Sequence, residues 1–160
     1  MTAAGTRYCI DTSALIAAWD ERYPIENFPP LWDRIEELGD AKRLWVPEAV
    51  LDETSKRSSD LNKWLKSRGH LVVGFEQDVQ ATAREVLRDF PRLVAERKAR
   101  YAADPFVIAT ARSKGMSVLT EEYPTNKLQR PNIPDVCRVL SVPCVRLIDV
   151  IRAEKWIIGS

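Results

Sequence analysis

The sequence predicts an α/β fold, a three-layer sandwich with a short central parallel sheet flanked by helices. Two observations carry the prediction. The strand-like runs are short, apolar and unalternating, which is the pattern of strands buried on both faces. Helical patterns separate them one after another, as parallel strands with helical crossovers require. The chain has 160 residues, a size that suits one domain, taken as 1–160. No repeat, low-complexity segment or interdomain linker interrupts it.

Residues 7–11 read as the first buried strand. SALIAAWDER follows with the Ala and Leu content of a helix and ends before Pro24. NFPPLWDRIEELGD is a second helix, with prolines at its start, Leu31, Ile35 and Leu38 on one face, and Gly39 as its stop. RLWVPEAVLDETSKR gives a short extended piece and then a helix from about Pro47. SSDLNKWLKSRG is a serine-capped helix with Leu61 and Leu65 one turn apart. HLVVGF is a strand, and EQDVQATAREVLRDF a long amphipathic helix. RLVAERKARY either extends that helix past Pro91 or forms a short one. ADPFVIATARSKG is a helix with Asp104 as cap, Pro105 in its first turn and Gly115 at its end. MSVLT is a strand, EEYPTNKLQRPN a loop, IPDVCRVLS a short helix, VPCVRLID a strand and VIRAEKWI a last turn or two of helix.

Composition excludes little by itself. Charged residues are 29% of the chain, 24 basic against 23 acidic, for a formal charge of +1. No field of one sign argues for nucleic acid or membrane, although the acids of a pocket can cancel basic residues around it. Three cysteines with no CxxC spacing imply reduced thiols and a cytoplasmic setting. No apolar run approaches the ~18 residues of a membrane helix, and the N-terminal MTAAGTRY lacks a hydrophobic signal core.

The acids are the informative residues. Ligands of open parallel sheets bind beyond the carboxyl ends of the strands. Asp11 ends the first strand. Glu121 and Glu122 directly follow the strand MSVLT. Asp104 opens the helix that leads into that strand, and Asp135 opens the helix before the last one. Glu53 sits inside PEAVLDETSKR. Each acid alone has a plain structural role as a cap, a helix-dipole partner or a loop residue. Together on one edge they would repel unless a cation sat between them. Oxygen ligands suit Mg²⁺ or Mn²⁺, and the single histidine, His70, leaves no competing His or Cys cluster.

These residues resemble a known family. YCIDTSALI, a helical Glu some 40 residues on, ADPFVIATA and SVLTEE are similar, in order and spacing, to the motifs of the PIN-domain nucleases. The tail IPDVCRVLSVPCVRLIDVIR looks like a bacterial PIN-like subgroup related to the VapC toxins. The resemblance covers nearly the whole chain and implies a PIN-like, Rossmann-like domain. It assigns catalysis to Asp11, Glu53, Asp104 and Glu122, and metal binding to Asp11, Asp104, Glu122 and Asp135, the last as an extra acid supplying an outer-shell ligand. Glu48 is the alternative to Glu53, because PEAVLDE has an acid at each end. The family has Thr-x-Asp after the later strand. TEE puts Glu122 in that place, with Glu121 beside it as the alternative. Thr12, Ser13 and Thr120 would orient carboxylates or metal-bound water.

The implied activity is Mg²⁺- or Mn²⁺-dependent hydrolysis of RNA phosphodiesters, by the toxin of a type II pair with a cognate antitoxin. Paired PIN domains make a homodimer a further expectation. Basic helical stretches would serve the RNA. Residues 56–68 carry a net +4 and include Lys56, Arg57 and Lys63, with Trp64 as a stacking residue. Residues 84–100 carry a net +3 and include Arg97 and Arg100. The alternative is a catalytically degenerate PIN-like module that binds RNA or protein. A phospho-acceptor Asp of the DxD kind is a third class, and Ser13 at the second acid's position argues against it.

Overall fold

A computed structural model describes residues 5–95 and 102–159. Five parallel strands, β1 (Tyr8–Ile10), β2 (Leu44–Pro47), β3 (Val72–Val73), β4 (Ser117–Leu119) and β5 (Cys144–Val145), form one sheet in the order β3-β2-β1-β4-β5. Ile10 pairs with Leu119, and Val118 with Cys144. The chain runs outward from β1 to β2 and β3, then returns to the other side of β1 with β4. The order therefore reverses between β1 and β4, where an open sheet of this kind leaves a crevice at its carboxyl ends. The Asp11 N–H donates to Leu119 O at 3.0 Å, which carries the pairing one residue past β1.

The helices follow the expected order: α1 (Thr12–Ile16), α2 (Pro29–Asp40), α3 (Glu48–Arg57), α4 (Ser59–Lys66), α5 (Gln77–Asp89), α6 (Arg92–Ala95), α7 (Asp104–Lys114), α8 (Ile133–Leu140) and α9 (Leu147–Ala153). After α1 the chain winds as a π-helix over Ala17–Arg22. Gly115 ends α7 in the left-handed conformation at φ 68°, as its position implied.

Several details differ from the sequence reading. Ser58 takes the cap position of α4 without a side-chain hydrogen bond, and of HLVVGF only Val72–Val73 is strand, after a 3-10 turn at Gly69–Leu71. Gly39 does not stop α2, which runs on to Asp40. Gly39 is instead a contact point, because a Cβ there would lie 1.7 Å from Leu71 Cδ2. Asp104 is the first residue of α7 rather than its cap, and Ala103 holds the cap position with a near-helical backbone. The last strand is shorter than VPCVRLID, because Asp149 accepts from the Arg146 N–H at 2.9 Å and starts α9 at Leu147.

The sheet is buried between helical layers. Cys9, Ile10, Leu44, Val118 and Leu119 are essentially inaccessible, and Leu31, Ile35, Leu61, Ile108 and Val136 cover them. Trp32 packs edge-on to Trp19 at 5.0 Å and to Trp64 at 5.3 Å, a favoured geometry for aromatic pairs. Near the C-terminus Glu154 accepts from the Tyr8 hydroxyl at 3.0 Å and pairs with Arg43 at 2.6 Å, tying the end of the chain to β1. Among the described residues no helix is long and apolar enough to cross a membrane.

Candidate active site

Asp11 lies at the switch point and does two things. Its backbone is extended (φ −95°, ψ 171°), and its side chain accepts from the Ala14 N–H at 2.9 Å, so it caps α1. The same carboxylate accepts from the Ser13 hydroxyl at 2.9 and 3.0 Å and from the Thr120 hydroxyl at 2.7 Å. It is only 2% exposed. Burial first, and the charge of Glu122 second, raise its pKa from 3.8 to about 7, against the pull of those hydrogen bonds. A simple cap would not need a buried acid beside a second acid.

The TEE segment splits into two environments. Burial works to raise the pKa of Glu121. The Leu147 N–H, Arg22 and Arg146 outweigh it and hold that carboxylate below its ordinary range. The Leu147 N–H donates at 2.9 Å, Arg146 Nη2 lies at 3.1 Å, and Arg22 makes a close ion pair. Glu122 faces the other way, close enough to Asp11 to act on its charge, with Oε1 accepting from the Ile133 N–H at 3.0 Å. Hydroxyls brace this turn: the Glu122 N–H donates to Thr120 Oγ1 at 3.1 Å and the Glu121 N–H to Ser13 Oγ at 3.2 Å.

Glu53, not Glu48, enters the same network. Its Oε1 accepts from the Thr12 hydroxyl at 2.6 Å and its Oε2 from the Ala103 N–H at 2.9 Å. This buried carboxylate therefore joins the start of α1 to the start of α7, next to buried Asp104. Glu48 reaches instead toward Gly74, just after β3, where a Cβ would sit 3.7 Å from its Oε2. Asp135 anchors a loop. It accepts from the N–H groups of Thr125 (2.9 Å), Asn126 (2.8 Å) and Asn132 (2.8 Å) and from the Thr125 hydroxyl (3.1 Å). Burial raises its pKa and these donors lower it, with the donors prevailing.

The edge thus brings together Asp11, Ser13, Thr120 and Glu122 through direct contacts or charge; Glu53 is tied to them through Thr12, the residue after Asp11, and through Ala103, the residue before Asp104. Among the described residues, no group of three or more His, Cys, Asp or Glu side chains is arranged to hold a metal ion. Lys56, Arg57 and Lys63 are exposed on α3 and α4. Arg97 and Arg100 lie outside the described residues. Trp64 is half-buried in the tryptophan cluster, with the Arg68 guanidinium 4.2 Å above its ring. Sequence reasoning missed Arg22, Arg146 and Tyr123. Arg146 stacks 5.1 Å over the Tyr123 ring. No local pattern marks Arg22 and Arg146, because their partner Glu121 is 99 residues from Arg22 and 25 from Arg146, and Tyr123 is marked only by its stacking on Arg146.

Residues 8–158 match a family described as a domain of unknown function, DUF4411. The chain belongs to this family. No curated protein matches the DUF4411 chain in sequence. Among solved structures it is similar to VapBC2 from Rickettsia felis, whose crystal structure is bound to a DNA fragment from their promoter. The TM-score is 0.56 at 12% identity, over 88% of this chain and 98% of that one. At that identity the likeness concerns the fold, and the five-stranded parallel sheet of this DUF4411 domain matches a PIN-like fold.

Proposed function

We infer that this chain is a divalent-metal-dependent endoribonuclease. The observation that carries the reading is the Asp11–Glu122 pair: a buried carboxylate, braced by Ser13 and Thr120, with a second carboxylate near enough to act on its charge, at the crevice of a PIN-like sheet. Two carboxylates suffice for Mg²⁺ or Mn²⁺, because such ions keep several waters and take one or two protein carboxylates. The donors here are all hard oxygens, which fits that class of ion.

Asp11 and Glu122 would hold the ion directly, with Asp104 reaching it through water, and its chemistry there would be charge neutralisation at the phosphate and activation of water. The remaining steps belong to the chain. Ser13 and Thr120 hold both Asp11 oxygens in one orientation. Glu53 fixes the start of α7, and with it Asp104, relative to α1. Lys56, Arg57 and Lys63 offer cations to the RNA backbone. The Asp135 bonds favour a supporting role for that residue rather than metal binding. The fold likeness to VapBC2 suits a toxin role with an antitoxin partner; a homodimer and a cytoplasmic setting are carried over from the family resemblance alone.

The test is cleavage of single-stranded RNA with Mg²⁺ by the wild type, Asp11→Asn and Asp104→Asn. Cleavage by the wild type and loss in both variants is the expected result; activity that survives both substitutions refutes the assignment.

A second reading, a PIN-like module that binds RNA or protein without cutting, is favoured by one observation. Both Glu53 oxygens are already engaged by Thr12 and Ala103. Titration with Mn²⁺ separates the two, since a degenerate site binds no metal at millimolar concentration.

A further inference from the structure

Beside the acidic edge lies a cavity of about 230 Å³ between the Thr120–Pro124 turn, the start of α8 and the end of β5. Thr120 and Glu122 form its inner wall, next to Asp11. Cys144 and Val145 line its apolar part, Pro124 and Pro134 stiffen its sides, and Tyr123 and Arg146 stand at it. We propose that this cavity receives one unpaired base of the nucleic acid whose phosphate lies at Asp11 and Glu122. The proposal rests on the nuclease reading and deepens it.

Tyr123 is 60% exposed, so packing does not require an aromatic side chain there. Its backbone is nevertheless fixed. Its carbonyl accepts from Asn132 Nδ2 at 2.8 Å, on a loop that Asp135 pins through Thr125 and Asn126. An exposed ring on a pinned loop is a ready stacking platform, with little ordering cost on binding. Arg146 lies 5.1 Å over the ring and is held at 3.1 Å by Glu121, which keeps a cation and a flat surface in place. The volume suits a single heterocycle; a drug-sized ligand needs ~300 Å³ or more. A paired base cannot enter, so the cavity selects single strands, as unstacked bases are read elsewhere. Glu122 lines the cavity and acts on Asp11, so the base site adjoins the acidic edge.

The test measures binding of a fluorescein-labelled, mixed-sequence single-stranded oligoribonucleotide to the full Asp104→Asn chain, with and without changes at Tyr123. Tyr123→Ala should weaken binding about tenfold, and Tyr123→Phe should restore it. An oligonucleotide of abasic residues should bind equally to the Tyr and Ala forms, and duplex RNA should not compete. A single-stranded DNA of the same sequence should show the same Tyr123 dependence, because the cavity reads the base. The proposal is overturned if Tyr123→Ala binds like its parent, if the abasic strand loses as much, or if the parent binds no single strand. Cleavage by the wild type is read separately. Cleavage without Tyr123-dependent binding sinks the base site alone. Tyr123-dependent binding without cleavage sinks the nuclease reading and leaves a single-strand binding site.

Discussion

Thr120 donates a 2.7 Å hydrogen bond to Oδ2 of Asp11 across 109 residues of sequence. The same hydroxyl oxygen accepts the Glu122 N–H at 3.1 Å. One side chain at the end of β4 therefore sets the orientation of one acid and the backbone of the other. Four expectations follow from this arrangement and its neighbours.

Thr120→Val keeps the shape and removes these two bonds together with the 3.2 Å contact to the Ser13 hydroxyl. Groups that orient metal ligands typically change metal affinity 10–100-fold. Mn²⁺ affinity, read by calorimetry, should fall by at least about tenfold, and Thr120→Ser should recover most of it. Unchanged affinity in the valine variant would show that the hydroxyl is only a structural bond.

The pKa of Asp11 sets a pH dependence for the metal-free fold. It is raised in the folded state from 3.8 to about 7. Folding therefore favours the protonated acid. That contribution is complete below the unfolded pKa and is lost as pH rises from about 4 through about 7. Asp11→Asn removes the charge and keeps a good helix cap. In EDTA at pH 8 it should be more stable than the wild type by roughly 1–3 kcal/mol, with the gain vanishing near pH 4. Urea unfolding at the two pH values checks this, and a less stable Asn variant at pH 8 contradicts it.

Glu53→Ala leaves the Thr12 hydroxyl and the Ala103 N–H without their acceptor in a buried place. An unsatisfied buried group costs about 1–3 kcal/mol, so a loss of about 2–4 kcal/mol is expected in chemical denaturation. Glu53→Gln keeps one carbonyl and should lose about half as much. A fully stable alanine variant would mean that Glu53 does not clamp α7 to α1.

Asp135→Ala should loosen the loop before α8 and leave Mn²⁺ binding intact. Limited proteolysis should cut between residues 121 and 132 faster than in the wild type, because four loop donors lose their acceptor. Loss of Mn²⁺ binding with an intact fold would return Asp135 to the metal site.

Much of the architecture was legible because it is written locally. Period-free apolar runs marked the strands, and prolines and glycines marked most helix ends. Asp11 could be read as a cap from its place before Thr12, and as something more only because other acids followed strands and opened helices. Two of the misread boundaries have long-range causes, while the short last strand comes from the local Arg146–Asp149 contact. Gly39 is spent on Leu71, 32 residues away, and the Ala103 N–H is taken by Glu53, 50 residues away.

By itself the sequence determined the order of elements, the parallel sheet and the set of acids at its carboxyl edge, since periodicity and capping depend on near neighbours. The tertiary structure decided how those acids divide. It put Glu53 rather than Glu48 beside Thr12, turned Glu121 toward Arg22 and Arg146 and Glu122 toward Asp11, and gave Asp135 to a loop. A carboxylate's role is set by which donors and charges surround it, and here most of those lie tens of residues away along the chain.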